Sequence, residues 1–137
     1  MSDLDQLIQF AHATFSEAGG IPLLPHDAFE TTRRAFGMTV SDFLDHFARR
    51  VAHQYFEGDL TFEVADCALN SLSSYCLSQH EVMLPSYAND VYRAFDQGEF
   101  IHAGDEVGID PEVKYTTPQI RAIVVRDRIL GAFVETA

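Results

Sequence analysis

Asp42, Asp45, His46 and His53 come nearest, by residue type and spacing, to a metal site in this chain. Asp42 and His46 are four apart, so on a helix they share a face. His53 lies seven positions beyond His46, roughly 10 Å along a helix axis, which is too far for one zinc ion to bind both without further ligands. The HExxH pattern and any close cysteine pairing are absent. An Asp–His pair on a helix surface beside Arg49 and Arg50 is the simpler reading. No metal or other cofactor is therefore expected, and a metal-dependent enzyme using the His46/His53 helix stands only as an alternative.

The other familiar chemistries find less support. The stretch from Asp96 to Glu112 is rich in acids, but counted from Asp105 its third and fifth residues are Val107 and Ile109, where a calcium-binding EF-hand loop needs oxygen ligands. There is no Gly-x-Ser-x-Gly, and neither Cys67 nor Cys76 has a basic neighbour in sequence to activate it, so no catalytic residue is assigned and enzymatic activity is not expected. Nine positions apart on one helix, the two thiols would lie roughly 13 Å from each other and could not bridge. They read as buried thiols of a reducing compartment. Gly19-Gly20 follows a helix rather than a strand, so it is no phosphate loop. Gly58-Asp59-Leu60-Thr61 faintly resembles the turn of a helix-turn-helix, yet Phe62 to Leu77 carries no Lys or Arg for DNA.

Charge is the more informative feature. The net charge is −12, from 21 acids against nine bases. Residues 1–50 contribute −3, residues 51–113 contribute −11 with Arg93 their single base, and residues 114–137 contribute +2. Such a surface disfavours nucleic acid, which binds through clustered Lys and Arg, and disfavours acidic membranes for the same reason. It would steer a cationic protein towards itself. Tyr75, Tyr87, Tyr92 and Tyr115 lie in or beside the acidic stretch, and tyrosine offers large contact area at low entropic cost. The expected function is a non-enzymatic acidic protein-binding module that masks a basic partner surface, with Glu81, Tyr87, Asp90, Tyr92, Asp96, Glu99, Asp105 and Glu106 as its contact residues. In size, acidity and helical character the chain is similar to bacterial toxin-immunity and inhibitor proteins. The alternative is a homodimer or assembly subunit pairing through Ile21-Pro22-Leu23-Leu24 or Ala132-Phe133-Val134.

The N-terminus begins acidic, without the basic and apolar regions of a secretory signal, and Ile120 to Leu130 is interrupted by Arg126, Asp127 and Arg128. Neither export nor a membrane span is expected, and the cytoplasm is the expected location.

Holding these residues in place requires a core, and 137 residues with 47% hydrophobic content and eleven Phe can supply one. The pattern predicts an all-α fold of four to six helices packed as an irregular antiparallel bundle, one domain over residues 1–137. Leu4, Leu7, Ile8, Ala11 and Phe15 recur at helical spacing from Asp3 to Ala18, and Ile21 to Pro25 follows as an apolar strap. Asp27 to Phe36 forms a short helix. Thr39 or Ser41 caps a longer one carrying Phe43, Leu44, Phe47, Ala48, Val51, Ala52 and Tyr55, ending at Gly58. Thr61 caps a helix to about Leu77, Ser78 to Met83 connects, and Pro85-Ser86 opens a helix closed by Gly98. Glu99 to Tyr115 reads as a long acidic loop. Thr117 caps the last element, a helix by spacing with Pro118 in its first turn, and a strand over residues 122–134 is the alternative because Ala122 to Val125 is rich in β-branched residues.

Overall fold

The structure, a computed structural model, describes residues 3–17 and 26–131. They form six α-helices: α1 (Asp3–Glu17), α2 (His26–Phe36), α3 (Val40–Phe56), α4 (Phe62–His80), α5 (Ser86–Gln97) and α6 (Thr117–Gly131). No strand occurs among the described residues. The strap and the terminal segment proposed for pairing lie outside them.

The fold is organised around α3, which touches α1, α4, α5 and α6, while α1 packs chiefly on α4 and α2 bridges α1 and α4. Spacing explains this centrality. Phe43, Leu44, Phe47, Ala48, Val51 and Ala52 form one stripe and all are buried. Phe29 of α2 and Tyr75 of α4 meet that stripe edge-on, with Phe29 5.2 Å from both Phe47 and Tyr75 between ring centres. Aromatic contacts of this kind add about 1 kcal/mol each beyond burial.

Capping agrees with the sequence at two starts. Thr39 accepts the Asp42 N–H at 3.1 Å and Thr61 accepts the Val64 N–H at 3.2 Å, each answering one of the unpaired donors of a helix N-terminus. Helix α5 lacks such a residue, since Pro85 precedes it. Asp45 of α3 substitutes by accepting the Ala88 N–H at 3.0 Å, which ties the two helices together. Helix α4 runs three residues past the expected Leu77, then closes through Glu81 in the left-handed region (φ 55°), with Glu81 N–H to Leu77 O and Val82 N–H to Cys76 O both at 3.2 Å.

The loop after α5 is shorter than the composition suggests. Asp105 accepts the His102 N–H at 2.8 Å, the Tyr115 hydroxyl at 2.7 Å and the Lys114 ammonium, which fastens the loop to the next element. A turn of π-helix, Glu112–Thr116, then leads directly into α6, so Thr117 is helical rather than a cap, and its N–H reaches back five residues to Glu112 O. Pro118 explains the wide turn: it has no N–H to donate and its ring crowds the carbonyl four residues back. Burial of Ile120, Ile123 and Val124 at helical spacing decides α6 against the strand. Among the described residues no helix is long and apolar enough to cross a membrane.

Candidate functional site

The concentrated acid of residues 51–113 becomes a site where α4 meets the end of α5. Asp66, on α4, is half-buried, takes a long bond from Asn70 Nδ2 at 3.5 Å, and stands near enough to Glu99, just beyond α5, for the two carboxyl groups to interact. Two carboxyl groups this close favour a state in which one holds a proton. Burial, then the interaction with Glu99, then the charges of Glu99 and Asp96, push Asp66 well above the usual carboxylate range. Half-buried Tyr92 shares this environment, and burial followed by Asp96, Glu99 and Asp66 raises its hydroxyl. Glu63 adds a further charge one turn from Asp66 and pairs with His12 at 3.1 Å. Among the described residues no Lys or Arg forms an ion pair with Asp66, Asp96 or Glu99. Cys67 lies beneath, its thiol pushed up to about 11 by burial and then by Asp66, Glu63 and Glu99, so it is no nucleophile at neutral pH. Both cysteines are free.

A second polar cluster joins α3, α5 and α6. The Asp127 carboxylate, only 9% exposed, accepts the Tyr87 hydroxyl, lies 2.9 Å from His53 Nε2 and stands 3.7 Å from Arg49 Nε. The Arg49 guanidinium stacks 4.4 Å from the Tyr87 ring centre, and that of Arg126 lies 5.9 Å from it. Burial, with the Asp127 bond second, holds the Tyr87 hydroxyl far above its ordinary value.

A third cluster locks α2 to α4. Glu30 accepts from Arg33 (2.6 Å), Arg34 (3.0 Å) and the Tyr75 hydroxyl (2.5 Å), with His80 Nε2 at 3.0 Å. Those bonds, Arg33 first, hold Glu30 far below the carboxylate range despite its partial burial. Tyr75 is wholly buried, so its role is internal.

The residues expected to meet a partner divide. Tyr92, Asp96 and Glu99 belong to the α4–α5 acidic face. Tyr87 is committed to Asp127 and the two arginines. Asp90 borders a different cleft, of about 330 Å³, with Arg93, Gln97 and Gln119. Glu81 caps α4, and Glu106 sits on the exposed loop. Asp105 faces inward, 3% exposed and bonded to Lys114 and Tyr115, and so takes no part in the acidic face. Asp45, the neighbour of His46, is the α5 cap. Among the described residues no three His, Cys, Asp or Glu side chains gather as a metal site.

Asp66, Asp127 and Glu30 escaped the sequence reading. Asp66 left a trace: it stands between Ala65 and Cys67 on a helix that carries no Lys or Arg, beside positions that the apolar spacing assigns to the core. No protein-family model, curated protein or solved structure matches the chain.

Proposed function

We propose that the protein is a non-enzymatic binding module whose α4–α5 face, formed by Glu63, Asp66, Tyr92, Asp96 and Glu99, receives a cationic segment of a protein partner. The observation that carries this is the approach of Asp66 to Glu99 and Asp96: carboxyl groups from different segments near enough to perturb one another, with no Lys or Arg ion-paired to any of them among the described residues. Holding a proton on Asp66, or losing it beside Glu99 and Asp96, opposes folding, and an incoming Arg or Lys would reverse the sign of that contribution. A guanidinium can bridge two carboxylates, and Tyr92 beside them supplies a partly buried ring for its stem. Masking a basic surface is the action of an inhibitor or immunity-type protein.

Affinity capture from the native host at low salt tests it. The captured protein should be basic, should elute as salt rises, and should be lost when Asp96→Lys and Glu99→Lys are combined, while Asp90→Lys has the smaller effect. Calorimetry in buffers of different ionisation heat should also register proton release, because a cation seated on the pair expels the proton Asp66 holds. Capture indifferent both to salt and to the charge reversals would refute the proposal.

A further inference from the structure

The surplus of acid on the α4–α5 face has a counterpart elsewhere on the same molecule. Of the nine Lys and Arg residues, Arg33, Arg34, Arg49, Arg50, Lys114 and Arg128 are held in ion pairs, and Arg93, Arg121 and Arg126 are in none. Arg93 shares the cleft between α5 and α6 with Asp90, so those two charges offset each other. Arg121 and Arg126 both stand exposed on α6. The same helix carries Arg128, answered by Glu57, and a single acid, Asp127, turned inward to His53 and Arg49. Its outer surface is a cationic patch on an anionic molecule.

Spacing decides what accompanies those arginines. Ile120, Ile123 and Val124 fix the inner edge of α6 in the core. On the opposite edge Ala122, Val125 and Ile129 follow at three and four, with Val125 46% and Ile129 61% exposed. A turn of roughly 100° per residue puts Arg121 on one flank of that stripe and Arg126 on the other. An apolar stripe rimmed by charge is suited to contact with another surface. Because the inner edge is seated on α3 and α5, the stripe points away from its own molecule and is open to a second one.

The α4–α5 face has the complementary layout. Asp66, Asn70, Ser73 and Leu77 lie at four, three and four on one edge of α4, and Asn89, Tyr92 and Asp96 lie at three and four on the facing edge of α5. The antiparallel pair forms one groove, acidic where Asp66, Asp96 and Glu99 approach one another and apolar where Leu77, Met83, Leu84 and Tyr92 line a cleft of about 110 Å³. Tyr92 joins the two parts, since it lines the cleft and also feels the three carboxylates. From Asp66 to the turn Ser73–Leu77 is roughly 10–16 Å along α4, and from Arg121 to Ile129 is roughly 12 Å along α6. A cation and an aliphatic side chain on one helix are thus spaced to reach both parts of the groove.

We infer that α6 of one molecule seats in the α4–α5 groove of a second copy, with Arg121 among Asp66, Asp96 and Glu99 and with Ile129 in the cleft beside Leu77 and Met83. This rests on the reading of the α4–α5 face as a receiver of cationic segments, and it names a second copy of the chain as the source of one. Groove and α6 are different surfaces, so the contact is head-to-tail, and assemblies grow until they close into a ring. Net charge opposes the approach of two such molecules. At physiological salt, however, charges beyond about 8 Å are largely screened, whereas Arg121 and the carboxylates meet in contact.

Sedimentation of the full chain at physiological salt, up to about 1 mM, tests the inference. The average mass of the wild type should rise above that of the monomer as concentration increases. Arg121→Glu with Ile129→Asp disables α6, and Asp96→Lys with Glu99→Lys disables the groove. Each double variant alone should associate about tenfold or more weakly than the wild type. Mixed in equal amounts, the two should form a heterodimer and nothing larger, because one intact groove meets one intact α6. A wild type that stays monomeric throughout, double variants that self-associate as well as the wild type, or a mixture that does not associate would overturn the inference. If a variant does not fold, the wild type still decides it: methyl resonances of Leu77, Met83, Val125 and Ile129 should broaden together as concentration rises, and unchanged resonances on either surface count against the contact. Failure of the face itself looks different, since the basic host protein would then not be captured through Asp96 and Glu99 either.

Discussion

Gly98 closes α5 with φ −81°, a conformation open to any residue, so its side-chain-free character serves a close approach instead. A β-carbon there would stand 1.9 Å from Thr116 Oγ1, 3.1 Å from Phe62 Cε1 and 3.2 Å from Thr116 Cβ. Thr116 has no easy retreat: it is wholly buried, and its hydroxyl donates to Ala94 O at 2.7 Å. Gly98→Ala must therefore either break that buried bond, costing about 1–3 kcal/mol, or prise α5 from the π turn, costing about 1–3 kcal/mol as overpacking does. Reduced freedom of the unfolded chain returns less than about 1 kcal/mol. A net loss of about 1–2 kcal/mol is expected, which for a chain of this size lowers Tm by about 5 °C. Thermal and urea unfolding of the variant measure it. The same substitution made in a Thr116→Ala background, where the clashing oxygen is gone, should cost about 1 kcal/mol or less. Equal cost in both backgrounds, or a Tm change under about 2 °C, would refute the reasoning.

Two pH-linked predictions accompany this one. Asp66 has its folded value raised, so the stability it contributes is fully present below the ordinary carboxylate value of about 4 and is lost as pH rises through the raised value. Urea unfolding of the wild type should show that decline, and Asp66→Asn, which has no charge to acquire, should remain flat and be the more stable protein at alkaline pH; parallel declines would count against a proton held on Asp66. Glu30 has the opposite sign: its folded value is depressed, so its contribution is present above about pH 4 and lost as pH falls. Glu30→Ala should cost about 3 kcal/mol at neutral pH by stranding Tyr75, His80 and Arg33, with a shallower loss on acidification than the wild type shows, and a cost below about 1 kcal/mol would show the cluster to be dispensable.

The helices were legible because their signals are local. Thr39 and Thr61 cap where their spacing to the apolar stripes says they should, and the period of Phe43 to Ala52 gives the buried edge of α3 directly. The π turn was illegible, because it arises from a conflict between Pro118 and the continuation of a helix begun upstream, and composition shows only the proline. Clusters were illegible for a different reason. Asp66 meets Glu99 across 33 positions, and Asp127 meets Tyr87 across 40, so each depends on how α4, α5 and α6 dock. Asp105 misled because an acid in an acidic loop resembles its neighbours until Lys114 and Tyr115 are seen to enclose it.

Solubility alone would be served by carboxylates spread apart, since two like charges about 4 Å apart near a protein surface repel by about 4 kcal/mol. Bringing Asp66 near Glu99 forgoes that economy and also forces a carboxyl group to keep its proton where water would remove it. A group that lowers stability in the free protein and is relieved by a cation is the pattern expected where binding and stability oppose each other. Asp66→Asn separates the two meanings of the acidic face. If the face recognises a basic segment, the variant gains stability at alkaline pH and captures less partner, because the amide has no proton to expel and no charge to pair. A variant that gains the stability yet captures the partner as fully as the wild type would place recognition elsewhere on the molecule.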